Sequence, residues 1–157
     1  MASQNTTLFA AQIGSADYAS GQALPTSLDA GGRTITICDT FTTTSALTAG
    51  SQTLTLCKLP AGAKVVSLEL IVPASVGTSS AKIGYGTIAA DGTVTVVDDD
   101  RWGSGKDLSS AGRVQFVSVA ADADYVTTTE VAVVLSPVTT NFATAIAFAF
   151  IIKYVTA

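Results

Sequence analysis

The residues able to do chemistry are few, and their types and spacing exclude most of it. The chain has no histidine, so a serine or threonine nucleophile lacks its usual general base. Ser79-Ser80-Ala81-Lys82 puts Ser79 and Lys82 at a Ser-x-x-Lys spacing. In a strand, however, positions three apart point to opposite faces, so the pattern lacks the structural context a nucleophile needs. Glu69 and Glu130 are the only glutamates, each in or beside a strand-like run, and they form no evident pair for acid–base work. Asp98, Asp99 and Asp100, with Asp107 near, are the densest acidic group. Hard cations take such oxygen ligands, but this stretch lacks the alternating Asp/Asn ligands and closing Glu of a calcium loop. It reads instead as a solvated, charged strand end.

The remaining motifs are equally spare. Cys38 and Cys57 are the two cysteines; without a CxxC spacing or a histidine they support neither a zinc site nor a redox pair, and buried free thiols are expected. Gly84-Tyr85-Gly86 and Gly103-Ser104-Gly105 neither precede a helix nor carry Gly-Lys-Ser/Thr, so neither is a phosphate loop. Trp102, the single tryptophan, sits beside Arg101, and both are residue types enriched at binding hot spots. A Trp folded back over the end of the domain is the other reading. The expectation is a non-enzyme with no cofactor and no metal, working through contact.

Composition bounds the elements that would carry such contacts. A chain of 157 residues with 48% hydrophobic and 13% charged residues fits one domain with a substantial core. Soluble domains carry about 25% charged residues, so the shortage points to surface covered by partners. The net charge is -4, and the scattered basic residues form no patch for a phosphate backbone, so no nucleic acid is expected. Residues 143–155 are the most apolar stretch, too short for a membrane helix of about 20 residues. Residues 1–11 lack the basic start and apolar core of a secretory signal, so cytoplasmic synthesis is expected.

Two regions follow. Residues 1–32 show no steady period and end at Pro25 and Gly31-Gly32; they read as an N-terminal arm that orders on a neighbour, with Leu8, Phe9 and Tyr18 as anchors. A disordered terminus is the alternative. Residues 33–157 read as strands separated by turns: 33–41, 51–59, 64–72, 81–88, 93–97, 113–120, 128–135 and 143–155. Leu59-Pro60-Ala61-Gly62 predicts a type I turn, Asp91-Gly92 a tight hairpin, and 98–112 a long polar connection. Gly84 and Gly86 mark a bulge or a close backbone contact. In the last strand, Ile146, Phe148, Phe150, Ile152 and Tyr154 fall on one face. Ala143, Ala145, Ala147 and Ala149, then Ile151 and Lys153, fall on the other. The bulky face would fill a core, and the alanine face would admit another layer or subunit. Eight strands without a long helix argue an all-β, eight-stranded jelly-roll-like β-sandwich with an extended N-terminal arm.

Several segments resemble small structural proteins of tailed bacteriophages. They are Leu54-Thr55-Leu56-Cys57-Lys58-Leu59-Pro60-Ala61-Gly62-Ala63-Lys64-Val65-Val66, then Asp107-Leu108-Ser109-Ser110-Ala111-Gly112, and the ending with Lys153-Tyr154-Val155. The resemblance spans about residues 33–155 and implies a jelly-roll head decoration (cement) protein on the capsid surface of the virion, often a homotrimer at three-fold positions. Its implied partners are the major capsid protein and copies of itself. The family offers no catalytic residues, and the stretch around Asp98–Gly105 and the long arm depart from its pattern. A carbohydrate- or receptor-binding module of a tail or spike is the alternative, with Trp102, Tyr85 and the acidic group as a glycan groove.

Overall fold

Period-two alternation of apolar and small polar side chains builds strands at all eight expected places. The computed structural model describes residues 3–5, 34–73, 76, 79–117 and 125–156. The strands are β1 (Ser3–Asn5), β2 (Ile35–Thr42), β3 (Thr53–Leu59), β4 (Ala63–Val72), β5 (Ser80–Ile88), β6 (Val94–Asp107), β7 (Gly112–Gln115), β8 (Val131–Pro137) and β9 (Ala147–Thr156). No helix occurs among the described residues.

The strands form two sheets, ordered β1-β3-β8-β5-β6 and β2-β9-β4-β7. Setting β1 aside, β2 pairs with β9, β3 with β8, β4 with β7 and β5 with β6, all antiparallel. That is one long antiparallel hairpin. Folding it over brings β4 beside β9 and β5 beside β8, and the rolled hairpin is the jelly-roll topology.

The two inner faces meet in one core. Phe148, Phe150, Ile152 and Tyr154 of β9 are buried, as are Leu68 and Leu70 of β4. They face a layer that includes Leu54 and Leu56 of β3, Val133 and Leu135 of β8, and Trp102 of β6. The bulky face of the last strand fills the core, as expected from its alternation. A fully buried side chain of this size stabilises by about 1.5–3 kcal/mol relative to leaving it in water.

Local chemistry sets the corners. Gly92 N–H donates to the Ala89 carbonyl, Thr93 N–H donates to Asp91 Oδ1, and Gly92 has φ +82°, so the Asp-Gly hairpin stands where expected. The turn at Pro60 lies one residue later than predicted. Its closing hydrogen bond runs from Ala63 N–H to the Pro60 carbonyl, and Gly62 at φ +78° takes the third position. A positive φ there belongs to a type II turn, not type I.

The largest departure from expectation is at residues 98–107, which form the second half of β6 and not a polar connection. The register jumps from Tyr85↔Asp98 to Ile83↔Gly103, so β6 bulges between Asp98 and Gly103 while remaining in the sheet. Bulges of this kind re-aim side chains, and here the strand resumes with Trp102 turned into the core. The polar residues masked a strand whose apolar content is concentrated in one indole.

Candidate contact surfaces

The bulge of β6, an edge strand of its sheet, builds an aromatic and charged cluster. Tyr85 stacks on Tyr125 with ring centroids 5.0 Å apart, and Trp102 meets Tyr125 edge-on at 6.1 Å. The Arg101 guanidinium carbon lies 4.6 Å from the Tyr125 ring centroid, a cation–π geometry. Burial, then a hydrogen bond to Tyr85, pushes the Tyr125 phenol up from its ordinary value. Asp98 is held above the ordinary carboxylate value of 3.8, by desolvation first and then by the Asp100 side chain.

This geometry separates the two residues expected to act together. Trp102 is wholly buried with its Nε1 lacking a hydrogen-bond partner, so in the folded chain its indole offers a partner no surface. The reading in which Trp102 folds back into the end of the domain describes it. Arg101 is partly exposed, although its Nε is buried without a partner. No local spacing announces Tyr125, because its ring contacts come from distant β5 and β6. Leu8, Phe9 and Tyr18 lie outside the described residues.

The outer face of the four-stranded sheet, β2-β9-β4-β7, is a second candidate surface. Register places Cys38, Ile151, Glu69 and Gln115 in one row across β2, β9, β4 and β7, and Thr40, Ala149, Ile71 and Arg113 in the next. Ala147 and Lys153 are exposed, and Ala149, Ile151 and Ile71 are half-buried. Arg113 Nη1 donates to Glu69 Oε2 at 3.0 Å. The face is thus mixed: Thr and Ala, two isoleucines, one thiol and one ion pair. Cys38 corrects the expectation of two buried thiols. Both cysteines are free, but Cys38 is exposed and only Cys57 is buried.

The outer face of the five-stranded sheet differs. Ala132, Val134 and Ser136 of β8 point away from the core yet are almost fully buried. Lys58 is paired with Glu130 at 2.6 Å and Lys82 with Asp99 at 2.6 Å, and these lysines flank Ala132 and Ser136 in the register. A cavity of about 90 Å³ opens there, lined by Gln52, Thr53, Lys82, Val96, Asp99 and Ser136 among others.

No catalytic constellation is assembled among the described residues. Ser79 is buried and its Oγ donates to the Thr140 carbonyl at 3.2 Å, while Lys82 is engaged by Asp99. Glu69 and Glu130 each face a cation instead of one another. The described residues contain no group of three or more Cys, Asp or Glu placed to hold a metal ion, and no described helix could cross a membrane.

Comparison with known proteins gives a likeness of fold. No family model matches the chain, and no curated protein matches it. Among solved structures, a chain in the capsid of Ralstonia phage GP4 superposes with a TM-score of 0.73 at 19% identity, covering 99% of each chain. A chain in the capsid asymmetric unit of cyanophage Pam1 gives a TM-score of 0.55 at 16% identity, covering 88% of this chain and 96% of the other. These likenesses make the all-β sandwich the fold that this chain shares with them.

Proposed function

We propose that this protein is a non-enzymatic structural component of a phage virion, one that decorates the outside of the head and cements neighbouring capsomers. The observation that carries the reading is the end-to-end match, 99% of each chain, to a chain found in a phage capsid. The jelly-roll strand order and the low content of charged residues support it. So do the segments around Pro60 and Tyr154 that resemble phage structural proteins.

The mechanism is mechanical. Sheet faces and rim contact the major capsid protein and neighbouring copies, and the apolar area removed from water contributes about 25 cal/mol per Å² against separation of the shell. The outer face of the β2-β9-β4-β7 sheet suits close approach around Thr40, Ala147 and Ala149, whose side chains are short. Arg101 offers a cation at the opposite kind of surface, beside Tyr125. A homotrimer would present three such sets at once, and multivalency raises the hold without stronger individual contacts. The glycan-binding alternative relied on Trp102 as a stacking platform, and that indole is buried.

Co-sedimentation with empty heads that lack the protein tests the proposal. The protein pellets with the heads, and a version lacking residues 1–32 pellets less. Failure of the full chain to pellet, together with binding in a glycan screen, would replace this reading by the tail or spike module.

A further inference from the structure

The first described element carries more than its length suggests. β1 is three residues long and pairs in parallel with the edge of β3, Ser3 opposite Thr53, Gln4 opposite Leu54 and Asn5 opposite Thr55. β3 would otherwise end its sheet. An unpaired edge presents free N–H and C=O groups, a template for a strand from any chain.

Two features leave the identity of that chain open. First, the residues of β1 are Ser, Gln and Asn. None of these residue types is apolar, so the sequence of β1 carries no hydrophobic pattern that would fix its register to one particular partner. Second, about thirty residues separate Asn5 from Ile35, where β2 begins at the edge of the opposite sheet. Facing sheets lie about 10 Å apart, whereas a chain of that length reaches up to roughly 100 Å when extended. By length alone, the connection reaches the β3 edge of an adjacent copy as well as that of its own chain. It therefore does not select the parent β3 over the β3 of an adjacent copy.

We infer that β1 is an exchangeable donor strand: when copies of this chain are held side by side, each passes Ser3–Asn5 to the β3 edge of its neighbour. The partner is a second copy of the same chain, and the contact is a strand added to a sheet edge. Exchange of an identical element preserves every hydrogen bond while linking the copies, so it costs little and converts proximity into a tie. The inference deepens the decoration reading and takes its crowded setting from it, but the pairing itself needs only this protein.

The test is a cross-link in trans on the purified full chain. In a Cys38→Ser background, which removes the exposed thiol, one preparation carries Ser3→Cys and the other Thr53→Cys. Paired Cα atoms on neighbouring strands, about 4.8 Å apart, fall within the span of a disulfide. After mixing at high concentration and oxidation, a denaturing gel without reductant is expected to reveal a disulfide-linked product containing one chain of each kind. A Ser3→Cys/Thr53→Cys double variant is expected to form covalent oligomers whose share grows with concentration. Absence of the mixed product beyond that of a control pair, Ser3→Cys with Lys153→Cys, overturns the inference. So does a double variant that closes only within its own chain at every concentration. If either substitution unfolds the protein, Asn5→Cys with Thr55→Cys reads the same register. Because no heads are present, a negative result here leaves the pelleting experiment untouched, and the reverse also holds.

Discussion

The carbonyl oxygen of Asp98 occupies the space that a Cβ on residue 84 would need, and glycine at position 84 is what lets β6 lie so close to β5. Gly86 repeats the relation, its missing Cβ facing the Thr95 carbonyl oxygen at 2.6 Å. The obstacle in both cases is backbone, which cannot swing aside as a side chain can. Gly84→Ala is expected to destabilise by about 3 kcal/mol or more, the upper end of overpacking costs. Gly50 has open space around its Cβ position but φ +71°, so Gly50→Ala should cost only the left-handed penalty of about 1–2 kcal/mol. Thermal denaturation of the two variants checks the order; equal losses would mean that β6 can shift.

The corner leading into β9 holds a second test. Thr43 is buried, its Oγ1 donates to the Ala143 carbonyl at 2.7 Å, and the same oxygen accepts from Ile146 N–H at 2.9 Å. Thr43→Val keeps the shape and leaves those backbone groups unpaired, at a cost of about 1–3 kcal/mol. Ala145, in the same corner, is the non-glycine residue with positive φ among the described residues, at 62°. Ala145→Gly should therefore stabilise, by roughly 1 kcal/mol, since glycine meets no Cβ penalty there. In chemical denaturation, a shifted midpoint at an unchanged m-value would read these effects as changes in stability.

These corners also mark where the sequence is legible. Strands β2 to β5 and β7 to β9 announce themselves because alternation is local, and Asp91-Gly92 because a tight turn needs positive φ. The rolled pairing of β2 with β9, as at Ile35↔Tyr154, and of β3 with β8, as at Leu59↔Val131, joins residues far apart in the chain, and periodicity carries no information about such partners. The second half of β6 was hidden because Asp98, Asp99, Asp100 and two glycines suppress its alternation; only the bulge lets those residues stay in a strand while Trp102 turns inward. Contact residues were the least legible. A hot-spot composition at Arg101 and Trp102 does not reveal that one side chain reaches solvent and the other does not.

The two thiols should separate cleanly in reactivity. Cys38 lies on the outer face of β2, whereas Cys57 is wholly buried and its thiol is pushed up from the ordinary value of 9.0, by desolvation first and then by the Asp39 carboxylate. The thiolate is the reactive form, so a thiol reagent should label one cysteine promptly in native protein and both in denaturant. Peptide mapping should place the native label on Cys38. Under the proposed function, protection of Cys38 on intact virions would mark the outer face of the β2-β9-β4-β7 sheet as covered.

Acid titration tests the environment of the β6 bulge. Desolvation raises Asp98 above 3.8, with Asp100 reinforcing it through its side chain and its charge while Arg101 opposes. A carboxylate raised on folding contributes stability that is fully present below its unfolded pKa and is lost as pH rises through the folded one. Asp91 and Asp107 are lowered by the N–H groups of Thr93 and Ser109, so their contributions run the other way, present above 3.8 and lost as pH falls through their folded values. Asp98→Asn removes only the first effect. Its melting temperature should lie above that of the unsubstituted protein at neutral pH, where the charged carboxylate is the unfavourable form, and the gap should close as pH drops toward 3.8. The Asp107→Asn variant should show the opposite slope, falling behind at neutral pH and converging in acid. A gap for Asp98→Asn that widened on acidification would mean that the Arg101 attraction outweighs desolvation, and that the bulge is held together by charge rather than by burial.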